Sequence, residues 1–115
     1  MKYTVREEKS YEATAEAIYQ AALGAVEGLE GKVLKQDADA KSIEAQFDKK
    51  IHGKVLGDRT RMELAVRPGD DDRGQVTVEI YPIDPFGRKL QFGARKGVSQ
   101  QVMTWFVAHL EHRLK

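Results

Sequence analysis

The 115-residue chain contains no cysteine, three prolines and a single tryptophan. The missing thiols exclude disulfide frameworks, zinc–thiolate centres and thiol nucleophiles together, and they fit a reducing compartment. No uncharged apolar run approaches the ~20 residues that cross a bilayer. Residues Met1 to Arg6 also lack the apolar segment of a secretion signal, so no membrane insertion and a cytoplasmic setting are expected. With no repeat, low-complexity tract or linker, residues 1–115 are expected to form one domain.

Reactive patterns are equally scarce. There is no GxSxG elbow, and Ser10, Ser42 and Ser99 fall at expected caps or a strand start. His109 and His112 stand three apart without an identifiable third ligand, and Asp70–Asp72 lacks the glycine and distal glutamate of a calcium loop. Gly87, Gly93 and Gly97 form neither a phosphate loop nor a dinucleotide fingerprint. An enzyme is therefore not the expected reading, and neither a metal nor a cofactor is expected.

What is present is periodicity. Alternation predicts strands at "KYTVRE", "GKVLKQ", "SIEAQFDKK" with Ile43, Ala45 and Phe47 on one face, "TRMELAVRP" with Met62, Leu64 and Val66, and "QVTVEIYP" with Val76, Val78 and Ile80, ending at Pro82. A short last strand is expected at "RKLQF", with Leu90 and Phe92 inward. The segment "IHGKVLGD" reads either as a strand extension or as a glycine-bent hairpin.

Helical spacing runs from Tyr11 to Leu29, with Ser10 as N-cap and Gly31 as a left-handed stop. A second helix begins near Val98, capped by Gly97 or Ser99, with Val102, Met103, Trp105, Phe106, Val107, Leu110 and Leu114 as one broad apolar stripe that buries Trp105 and Phe106. The expected fold is α+β: a curved antiparallel sheet of about five strands with both helices on one face, in the order β-α-β-β-β-β-α. This order resembles the unit of TATA-binding-protein-like domains and a reduced version of the helix-grip fold of Bet v 1 and START-like proteins.

Charge is unevenly spread. Net charge is +1, but residues 1–48 carry six Lys/Arg against ten Asp/Glu, a balance of −4, while residues 49–115 carry thirteen against eight, a balance of +5. Lys49, Lys50, His52, Lys54, Arg88, Lys89, Arg95 and Lys96 form a candidate anion patch beside the second helix. The open sheet face, read as Glu44, Gln46, Asp48, Arg61, Glu63, Arg67, Thr77, Glu79 and Tyr81, holds too many anions and too few apolar wedges to grip DNA.

Three functions fit. The first is a non-catalytic binding or interaction domain, able to self-associate as a homodimer. The second is a carrier for a small apolar ligand, with a cavity lined by Phe47, Met62, Leu64, Trp105 and Phe106. The third is an anion or nucleic-acid binder using the two basic runs, with nucleic acid the less favoured.

Overall fold

A computed structural model describes residues 3–115; Lys2 of the expected first strand lies outside them. The chain runs β1 (Val5–Tyr11), α1 (Ala15–Gly28), β2 (Lys32–Asp37), β3 (Ser42–Phe47), β4 (Lys50–Ile51), β5 (Lys54–Val55), β6 (Arg59–Pro68), β7 (Gly74–Ile83) and α2 (Val98–Arg113). Five strands form one antiparallel sheet in the order β1-β7-β6-β3-β2. Helix α1 carries the chain from one sheet edge, β1, to the other, β2. It lies beside α2 on the same face of the sheet, so the expected α+β architecture is the observed one. No helix of the described residues is long and apolar enough to cross a membrane.

Strict alternation builds this two-layer core. In β3, β6 and β7, Ile43, Ala45, Phe47, Met62, Leu64, Val66, Val76, Val78 and Ile80 point at the helices, and all are buried. Register aligns them across the strands, Phe47 opposite Thr60, Ile43 opposite Leu64 and Met62 opposite Ile80. From above, α1 contributes Ile18, Ala22, Ala25 and Val26, and α2 contributes Val102, Met103, Phe106 and Leu110, none of which has accessible surface. The alanines on α1 and Gly24 and Gly28 let the helices approach closely. A Cβ at Gly28 would fall 2.9 Å from both His109 Nδ1 and Arg113 Nη2 on α2.

Four local expectations are corrected. The first helix starts at Ala15, and Thr14 rather than Ser10 caps it, its hydroxyl accepting from Ala17 N–H at 3.1 Å. Ser10 instead belongs to β1, paired opposite Gln75, because β1 gains ladder hydrogen bonds along β7 from Gly74 to Ile80. The left-handed residue after α1 is Glu30, with φ of 62°, and not Gly31. Gly31 is needed for clearance, since a Cβ there would stand 2.6 Å from the Phe47 ring.

The "RKLQF" strand reduces to a single bridge between Ile83 and Lys89, and Phe92 projects into solvent. The fourth correction is Trp105, which is half-buried at the rim of the core where full burial was expected.

Candidate functional site

Residues 48–58 leave the sheet between β3 and β6 and return as the β4–β5 hairpin. Its turn is two residues long, His52 and Gly53, with φ of 48° and 81°; two positive φ values give the turn whose twist matches a hairpin. Glycine takes that conformation freely, whereas His52 must be held there. Glu30, just beyond α1, accepts the His52 backbone N–H at 2.8 Å, and the ring Nε2 lies 2.6 Å from the Gly28 carbonyl oxygen. A carbonyl can only accept, so Nε2 carries the ring proton. The hairpin is thereby fastened across the C-terminal end of α1.

Between the hairpin, α1 and α2 lies a cleft of about 410 Å³. Leu29 and Ile51 supply a buried apolar floor, Trp105 and Ala108 of α2 a wall, and His52, Lys54 and His109 the polar rim. Lys54 Nζ sits 5.7 Å from the centre of the Trp105 ring, a cation–π contact that holds the ammonium at the mouth. His109 Nδ1 is 3.2 Å from Arg113 Nη1; a guanidinium only donates, so Nδ1 accepts and the imidazole is neutral. Burial first, then the positive charge of Arg113 and of the other two histidines, pushes the His109 pKa below its ordinary value. An apolar slot with a cationic rim can take a flat apolar molecule carrying an acidic group.

The space expected to form an internal cavity is filled. Phe47, Met62 and Phe106 have no accessible surface and Leu64 almost none, so no water-sized hollow touches the first three. These four belong to one core cluster, while Trp105 of the same group faces the cleft.

The basic residues divide among several tasks. His52 and Lys54 serve the cleft. Arg88 pairs with Asp84 at 2.9 Å, and Lys89 lies 4.4 Å above the Tyr81 ring. That contact, part of the loop 84–97 folding over the sheet end, buries Tyr81, which alternation assigns to open solvent; burial and its 2.6 Å hydrogen bond to Glu63 push its pKa up to about 12. Arg95 and Lys96 border a separate depression of about 600 Å³ with Tyr3, Val5, Ser99 and Gln100 at the start of α2. Lys49 and Lys50 stand exposed on the hairpin.

A further depression, about 680 Å³, is an open trough on the uncovered sheet face. Register sets Glu44, Glu63 and Glu79 side by side across it on β3, β6 and β7. Each carboxylate has a neighbour of its own: Arg61 at 3.9 Å, the Tyr81 hydroxyl at 2.6 Å and Arg6 at 3.4 Å. The three carboxylates make the trough unfavourable for anions. No group of three or more His, Asp or Glu among the described residues is arranged to hold a metal ion.

Sequence reasoning reaches His52, Lys54 and Trp105 as members of two other groupings, and it misses Leu29, Ile51, Ala108 and His109 as parts of one cleft. They come from three elements separated by twenty residues or more, and the hairpin that joins them is ambiguous in the sequence.

No protein-family model and no curated protein sequence matches the chain. Solved structures do. Ara h 8.0201 superposes with a TM-score of 0.63 at 11% identity, covering 97% of each chain. The di-domain ARO/CYC protein StfQ from the steffimycin biosynthetic pathway gives 0.65 at 11% identity over 92% of this chain and 43% of its own. A START superfamily protein from Mycobacterium smegmatis gives 0.54 at 9% identity, covering 97% of this chain and 94% of its own. In fold, the chain is similar to helix-grip domains of the Bet v 1 and START-like kind.

Proposed function

We propose that this chain is a non-catalytic ligand-binding domain that takes a small, flat, apolar molecule bearing a carboxylate or similar anion in the cleft between α1, the β4–β5 hairpin and α2. One observation carries the reading: the apolar floor of Leu29 and Ile51 and the Trp105 wall are capped by Lys54, while the interior beneath the helices is closed. The helix-grip likeness supports a binding role, and the filled interior moves the bound molecule from inside the fold to its flank. A cleft of about 410 Å³ suits one or two fused rings, since ligand pockets span roughly 300–1,000 Å³.

Trp105 is the sole tryptophan, so its emission reports on the cleft directly. Titration with 1-naphthoate is expected to quench and shift the emission saturably. The uncharged 1-naphthamide is expected to bind about tenfold more weakly, the loss of one charge-assisted contact. Lys54→Gln should remove that preference. A flat Trp105 response to both compounds, or equal affinity for both in the unaltered protein, contradicts the reading.

A further inference from the structure

Three strongly exposed apolar side chains stand at one end of the sheet. Val55 is 70% exposed, Phe86 82% and Phe92 84%. Their segments meet there because Arg59 pairs with Ile83, setting the start of β6 beside the end of β7. The Arg95 backbone N–H donates to Asp58 Oδ2 at 2.6 Å, which pins the loop 84–97 against the β5–β6 junction. A solvated loop gains nothing from two bare phenyl rings, and neither ring is covered by the fold.

The same two segments, residues 48–59 and 84–97, carry eight Lys/Arg against three Asp. All three aspartates are engaged locally. Asp48 accepts the Lys49 N–H and lies 3.9 Å from Arg59, Asp58 accepts the Arg95 N–H, and Asp84 holds the Arg88 guanidinium at 2.9 Å. Lys49, Lys50 and Lys96 have no anionic partner among the described residues. Apolar tips set among unneutralised cations match the boundary between lipid phosphates and acyl chains, where rings sink a few ångströms and ammonium groups stay at headgroup level.

We propose that this end of the molecule docks on an anionic lipid bilayer, with Val55, Phe86 and Phe92 entering the headgroup region and Lys49, Lys50 and Lys96 facing the lipid phosphates. Single-stranded nucleic acid also seeks cations and aromatic rings, but it stacks on free ring faces. The Phe86 ring already carries the Arg88 guanidinium 5.3 Å from its centre, and Val55 has no face to stack on. The docking goes beyond the cleft reading and does not depend on it. The β4–β5 hairpin belongs to both, so a docked molecule would hold the cleft mouth beside the membrane.

The test is co-sedimentation of the full chain with sucrose-loaded vesicles of phosphatidylcholine alone, and of phosphatidylcholine with about 30% phosphatidylserine, at low and high salt. Binding is expected to the mixed vesicles at low salt, to weaken as salt screens the lysines, and to be slight on phosphatidylcholine alone. Phe86→Ser with Phe92→Ser should weaken it about tenfold, and Lys49→Gln, Lys50→Gln and Lys96→Gln about fivefold each. All these side chains are exposed, so thermal unfolding and the 1-naphthoate titration of the variants should match the parent, which separates lost docking from a lost fold or a failed cleft. The proposal is overturned if the mixed vesicles do not carry the protein down at low salt, or if binding survives the double phenylalanine change. Tighter binding of a single-stranded oligonucleotide with the same phenylalanine dependence would overturn it in favour of nucleic acid.

Discussion

Replacing Phe106 by alanine probes the closed interior at its centre. The ring has no accessible surface, and its neighbours one turn away on α2, Val102, Met103 and Leu110, have none either. Removing it is expected to cost about 3–5 kcal/mol, the transfer term for the lost carbons plus the void that packed neighbours cannot fill. A 115-residue domain unfolds with an entropy near 0.24 kcal/mol/K, so a loss of about 4 kcal/mol lowers Tm by roughly 15 °C. Circular dichroism at 222 nm measures that shift. A dry apolar void of this kind binds benzene, so benzene-saturated buffer should restore several degrees to the variant and none to the parent. A loss below about 1 kcal/mol, or benzene stabilisation of the unaltered protein, would show that the space beneath α2 is already hollow and would refute the reasoning.

Thr14→Ala removes the hydroxyl that accepts Ala17 N–H and should lower stability by about 1 kcal/mol in a urea melt, while Ser10→Ala leaves the midpoint unchanged. Gly31→Ala should cost about 1–3 kcal/mol, because the new methyl collides with the Phe47 ring and Val26; pairing it with Phe47→Leu should recover part of the loss. His109 is held neutral below its ordinary pKa, so the unfolded chain binds the extra proton first. Its contribution is present above about pH 6.5 and lost as pH falls through the folded value, and His109→Gln should flatten that part of a stability profile measured by chemical denaturation.

The central strands are legible in the sequence because Ile43, Ala45 and Phe47, Met62, Leu64 and Val66, and Val76, Val78 and Ile80 alternate without exception and all three strands face one core. The upper half of β1 is not. Its inward positions Glu7 and Lys9 sit at a sheet edge, where Lys9 lies 3.8 Å from Glu7 and 4.0 Å from Glu111, so no apolar pattern marks them. Apolar content alone also misplaces Trp105 and Phe92: the first stops at the rim of the core under Lys54, and the second lies on a loop that folds back over Tyr81 without forming a strand. The cleft depends on where the β4–β5 hairpin lands. That is decided by the Glu30 carboxylate and the Gly28 carbonyl, contacts between residues more than twenty positions apart that no local pattern encodes. The one local trace was His52-Gly53, a two-residue turn between Ile51 and Lys54.

Methyl-resolved NMR of the chain during a 1-naphthoate titration tests most directly whether ligand binds outside a closed interior. The expected result is a saturable displacement of the Leu29 and Ile51 methyl signals and of the Trp105 indole, with the Met62, Leu64 and Met103 methyls unmoved. Displacement of Met62, Leu64 and Met103 with Ile51 and Trp105 silent would place the ligand between helices and sheet and contradict the account.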